Sequence, residues 1–271
     1  KQFIERFVDR KFPTVSDAWC VDAGLQFDGG VEYDISGYTL ADPCVVTAPG
    51  HPFSTGDQVR ISSVVGDAKI NDIFSVIAIN ADTFSLRDKT NAFDYDTTAW
   101  SAYVSGGKVQ RVENILLGFD HLEGMTVSAL IDGSPETGLT VTGGSVTLPS
   151  YGTKITVGLP FEPQIAPMPI EPEGGQHQGS MKRISHVNYR LHESVGGKFG
   201  KDFTKPGEMY PIIYTTASDI MDQATGFYTG LKGEYYPGGF DPVQIPYLIQ
   251  DQPLPITVLA MTYNIGVYGS K

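Results

Sequence analysis

Between Gly50 and Val109 the chain is a run of short alternating segments parted by turn chemistry, and this pattern narrows its fold more than any other feature. GHPFSTGD is a turn-rich lead-in. In QVRISSV, Val59 and Ile61 alternate with Gln58, Arg60 and Ser62, the period of a half-buried strand. Gly66-Asp67 marks a turn, and Asn71 lies in the connection to the next strand. FSVIAI, TFSL and AYVS read as further strands, separated by Asn-Ala-Asp and Gly-Gly. The block is a small barrel, with Val59, Ile61, Phe74, Val76, Ile77, Phe84 and Leu86 expected inside it. It holds no nucleophile–base pair and no metal-ligand spacing.

The rest of the chain follows the same habit. With 31 glycines and 18 prolines in 271 residues, short strands and many turns are expected, and no long segment keeps a helical apolar period. A short helix is expected around Ser218–Gln223, stopped by Gly226. The fold class is all-β. TVSALID, SVTLPS and TKITVGLP read as strands between turn clusters at Asp132-Gly133-Ser134-Pro135 and Gly143-Gly144. The proline spacing in PQIAPMPIEPEGGQHQG forbids a central strand. RISHVNYRLHES is the clearest strand, with Val187, Tyr189 and Leu191 on one face and Asn188, Arg190 and His192 on the other. PLPITVLAMTYNIGVYG reads as a strand pair broken near Asn264.

Several clusters could carry chemistry. Asp120 and Glu123 flank His121, a combination used by glycosidases and metal sites, but the segment reads as a turn whose side chains bond backbone. His186 and His192 point the same way on one strand yet stand about 20 Å apart, too far to share a metal; His177 would have to fold back to join them. Asp67, Asp72, Asp82 and Asp88 lack calcium-loop spacing, and Asp94-Tyr95-Asp96 is a weak cation candidate against solvated turn carboxylates. The glycine pairs at 29–30, 106–107, 143–144, 174–175, 196–197 and 238–239 read as turns and bulges, since none carries a phosphate-loop pattern. No catalytic, metal or cofactor site is expected. Tyr228, Tyr235, Tyr236 and Phe240 are the candidate interface residues. They sit in a Gly/Pro-rich stretch read as an extended loop or hairpin with exposed aromatics, suited to a subunit or partner contact. Packing under the loop and stacking on a saccharide are the competing readings.

The formal net charge of −12 opposes binding to DNA phosphates. It suits either a wall past which DNA slides or plain solubility. Cys20 and Cys44 are too few for a disulfide framework and are expected as buried free thiols. No apolar run approaches the ~18 residues of a membrane span. KQFIERFV begins in strand-like alternation, which suggests a piece of a longer protein.

The barrel pattern resembles the small module inserted in tail proteins of short-tailed bacteriophages, a module labelled after the half-domain of the ubiquitin-activating enzyme that it looks like. The flanks extend the resemblance. FIERFVDRKFPTVSDAWCVDAGL resembles the segment that closes the family's large N-terminal portion; LLGFDHLEGMTVSALIDG, VTGGSVTLPSYGTKITVGLPF and GSMKRISHVNYRLHES are similar to successive segments of its C-terminal half, and QDQPLPITVLAMTYNIGVYG to its terminal strand pair. The HLEG and VGLPF segments are the most specific. The family phrase begins at Ser36-Gly37-Tyr38 and resumes at Leu117-Gly118-Phe119, which implies that residues 37–111 form a barrel inserted into a host β-domain of residues 1–36 and 112–271. The resemblance implies a non-enzymatic virion protein, the tail nozzle or tail tubular protein, made in the bacterial cytoplasm. Its β-propeller-like body would form a homo-oligomeric ring of six copies, docked to neighbouring tail proteins, through which DNA leaves without tight binding. The alternative is a peripheral receptor- or glycan-binding module of the tail.

Overall fold

The structure is a computed structural model describing residues 8–170, 179–216 and 223–268. The chain is all-β. Its strands are β1 (Asp22–Asp28), β2 (Tyr33–Asp34), β3 (Gly37–Tyr38), β4 (Val45–Thr47), β5 (Gln58–Val65), β6 (Ile73–Ala78), β7 (Thr83–Arg87), β8 (Ser105–Leu117), β9 (Thr126–Ile131) and β10 (Ser134–Thr140). They continue as β11 (Ser145–Gly152), β12 (Lys154–Leu159), β13 (Gln164–Ile165), β14 (Met181–Ser194), β15 (Lys198–Gly200), β16 (Met209–Pro211), β17 (Tyr228–Tyr235), β18 (Tyr247–Ile249) and β19 (Val258–Tyr268). Helical structure among the described residues is confined to single 3-10 turns, and no helix there is long and apolar enough to cross a membrane. The alternation expected over the first residues, the short helix around 218–223, His177 and the glycine pair at 174–175 fall wholly or mainly outside the described residues.

The chain divides into two compact units, one of residues 26–123 and 141–155, the other of residues 1–25, 124–140 and 156–271. The first holds an eight-stranded antiparallel sheet in the order β11-β8-β5-β6-β7-β4-β3, with β2 also on β8. The sheet curls because its ends are tied by one short segment. Tyr33 pairs with Val109 and the Ile35 amide donates to the Gly107 carbonyl, whereas the Ser36 amide donates to Thr47 and Tyr38 pairs with Val46. Residues 33–38 thus leave β8 and join β4. Inside the curl lies one core, including Val46, Val59, Ile61, Phe74, Val76, Phe84, Leu86 and Val109. Burying such side chains contributes roughly 1.5–3 kcal/mol each.

Six of the seven expected interior residues are buried; Ile77 is not. Phe74 and Val76 share the inner parity of β6, and Ile77, opposite Ser85, falls on the outer one and is half-buried. AYVS is not a strand: residues 101–104 are irregular, and β8 starts only at Ser105. The Tyr103 hydroxyl donates to the carbonyls of Ile35 and Gly106, 3.0 Å each, which fixes this bend. The compact unit is also wider than residues 37–111, because β8 runs on to Leu117 and β11 pairs with its second half.

The second unit contains three sheets. In β1-β12-β9-β10, the interior of β9 is buried on both faces, as a central strand requires. In β13-β18-β15-β16, the prolines around β13 hold it to two residues at the edge. The third sheet is β17-β14-β19. The expected break at Asn264 is instead one continuous strand, β19; the irregularity sits opposite it, where Ser185 is an extra residue in β14.

Candidate interaction surface

The side chains singled out for chemistry mostly hold turns. Glu123 accepts the Gly143 and Gly144 amides at 3.0 and 2.8 Å, and Asp120 packs so closely on Gly144 that a Cβ there would stand 2.4 Å from its Oδ1. The His121 ring stacks on Phe119, with centroids 6.2 Å apart. The Glu123 carboxylate thus holds the Gly143-Gly144 turn, with Asp120 packed on the same turn. Asp94 is bound by Arg87 at 3.0 Å, Asp96 accepts the Thr98 amide and hydroxyl, and Tyr95 lies between them against Phe74 and Trp100. No cluster of three or more metal-ligating side chains exists among the described residues. Cys44 is buried and Cys20 half-buried, both as free thiols; burial pushes the Cys20 pKa up to about 11 against the opposing charge of Arg10.

The aromatic stretch is part strand and part loop, since residues 236–240 are irregular. Tyr228–Tyr235 is strand β17, paired antiparallel with β14. Tyr235 points outward and is 85% exposed, and Phe240 is exposed, edge-on to Tyr268 at 5.8 Å. Tyr228 is half-buried beside Tyr214, and its hydroxyl donates to the Leu231 carbonyl. Tyr236 is a core residue at 4% exposure. Its hydroxyl donates to the carbonyls of Gly200 at 2.8 Å and Ile245 at 3.2 Å, and burial raises its pKa. Alternation explains the split: adjacent tyrosines face opposite sides, so Tyr236 cannot serve a surface that Tyr235 occupies.

The exposed face of the β17-β14-β19 sheet has a grid set by register. His186 stands between Tyr235 and Asn264, Asn188 between Gly233 and Thr262, and Arg190 between Leu231 and Ala260. The other face buries Val187, Tyr189 and Leu191 against Phe199, Ile212 and Leu248. His186 meets the Tyr235 ring edge-on at 5.2 Å. A Cβ on Gly233 would stand 2.6 Å from His186 Nε2 and 2.8 Å from Asn188 Oδ1, so both side chains lean across the strand through the space glycine leaves. Farther along, Arg183 lies opposite Gly266 and Met181 opposite Tyr268. The nine grid positions contain no carboxylate. Neither Arg183 nor Arg190 has an ion-pair partner among the described residues.

The sequence signalled the alternation of β14 but not this face. Its composition depends on which strands flank β14, and pairing partners leave no mark in local pattern. No family model and no curated protein matches this chain.

Proposed function

We propose that the chain is a structural component of a short-tailed phage tail, contributing to a ring-shaped nozzle through which DNA leaves. The reading starts from the resemblance of its successive segments to that family. The structural observation that supports it is β19. This eleven-residue strand is at the edge of its sheet among the described residues, and Val258–Tyr268 contains neither a charged residue nor a proline. Edge strands are ordinarily blunted by lysine, proline or a bulge, because their unpaired amides and carbonyls template another strand. Here the irregularity at Leu259 lies near one end, and among the described residues no further strand pairs with the rest of the edge. A neighbouring copy that adds a different strand to this edge makes a heterologous contact, which closes a ring when the rotation between copies allows it. The acidic balance suits a wall that does not grip the genome.

The mass of the assembled protein and the symmetry of its particle images test this reading. A ring is expected, and Leu259→Lys, a change at an exposed position, is expected to abolish it while the monomer's circular dichroism is unchanged. A protein that stays monomeric within the tail would sink the nozzle reading and favour the peripheral receptor- or glycan-binding module.

A further inference from the structure

The exposed face of the β17-β14-β19 sheet is chemically unlike the chain that carries it. The protein has a net charge of −12, yet the centre of this face presents Arg190 and His186 with no carboxylate beside them. Arg183 extends the cationic row. A solvated face in so acidic a protein would be expected to carry its share of Asp and Glu. We propose that this face binds an acidic polysaccharide, a sugar chain bearing carboxylate or phosphate groups.

Three observations select that occupant. Charge complementarity comes first: two guanidiniums with no ion-pair partner among the described residues fit anionic groups, each offering a planar fork of donors to a carboxylate or phosphate. The second is the hydrogen-bonding inventory. Asn188, Asn264 and Thr262 each donate and accept, as sugar hydroxyls do, and the register lines them up beside one another. The third is Tyr235. Its ring is 85% exposed and held by His186, giving an apolar face for a sugar ring and a hydroxyl at its rim. Ala260 and Gly266 carry little or no side chain, and the space over Gly233 is filled by the polar ends of His186 and Asn188, which face a bound chain. From His186 to Arg190 the platform spans about 13 Å along the strand, and three strands span about 10 Å across it, room for a short run of sugar rings.

Other occupants fit less well. A nucleic acid stacks its successive bases, which needs more than one ring on the central grid. A second copy of the chain would need an apolar or aromatic interface core, and the middle row of the grid is polar. The inference rests on this face and is independent of ring formation.

Affinity electrophoresis of the purified protein tests it, with gels containing alginate as the acidic polysaccharide and dextran as the neutral one, and with a single-stranded oligonucleotide as a separate competitor. Alginate is expected to retard the protein and dextran is not. Arg190→Gln and Tyr235→Ser, both at exposed positions, are each expected to weaken alginate binding about tenfold with unchanged thermal midpoints. Absence of retardation by alginate, or equal retardation by dextran, would overturn the proposal. So would displacement of alginate by equimolar oligonucleotide, which would make the face a nucleic-acid site. Sedimentation of the Arg190→Gln protein separates the remaining case: loss of self-association would reassign the face to a contact between copies. Ring assembly is read independently through Leu259→Lys, so failure of either proposal leaves the other standing.

Discussion

Asp88 organises a turn by itself. Its carboxylate accepts the Thr90 hydroxyl and the amides of Thr90, Ala92 and Phe93, while Asn91 takes a left-handed backbone with φ of 58°. These bonds, led by that from the Thr90 hydroxyl, hold its pKa down to about 2 from the ordinary 3.8. The folded value lies below the unfolded one, so the turn's stabilisation is complete above the ordinary value and is lost as pH falls through about 2. A carbon-detected NMR titration should give a midpoint near 2, and Thr90→Ala should move it upward. Phe84 is the corresponding residue for packing. It is fully buried, edge-on to His51 at 5.0 Å and to Phe53 at 5.6 Å. Phe84→Ala should cost about 3–5 kcal/mol, read as a lower denaturant midpoint with an unchanged slope. A near-neutral result would contradict the close packing of this cluster.

Among the elements, β8 shows how backbone freedom directs a strand. Gly106 and Gly107 have φ of 71° and 106°, in the region that disfavours side chains, opposite Ser63 at 60°. The ladder passes from Ser62–Lys108 to Val64–Gly106, so this local twist keeps Val64 on the inner face with Val59 and Ile61. A Cβ on Gly107 would stand 2.5 Å from Val64 Cγ2. Gly107→Ala should therefore destabilise this unit by more than about 1 kcal/mol, and hydrogen exchange should report the loss first in β5 and β8. The pair was legible as a turn or bulge, though not which strand it served. β17 was illegible for a different reason. Its inner positions are Tyr228, Gly230, Lys232 and Glu234, which give no apolar alternation. What makes it a strand is the backbone ladder offered by β14.

At the scale of the whole molecule, charge sets the terms of association. Identical copies at −12 repel one another, whereas the proposed strand addition at β19 would rely on backbone hydrogen bonds that salt hardly weakens. Raising ionic strength from about 0.1 M to 1 M shortens the screening length from about 10 Å to 3 Å. Self-association measured by sedimentation velocity should therefore increase over that range. Assembly that dissolves with salt would show that ion pairs, and not the open edge, hold the copies together.

Local pattern was enough to make the chain all-β, to place the cores of β5, β6 and β7 and to assign the buried face of β14. Each of these follows from alternation, and alternation is a property of neighbours in sequence. Closure of the curled sheet through residues 33–38, the recruitment of β11 to β8, the burial of Tyr236 and the composition of the exposed face were decided only by tertiary structure. Backbone amides and carbonyls are chemically the same at nearly every residue, so a strand's pattern can specify which side faces inward while leaving its hydrogen-bonding partner open. Partners are selected by packing across the whole fold, and that selection placed Arg190 and Tyr235 on the same face of one sheet.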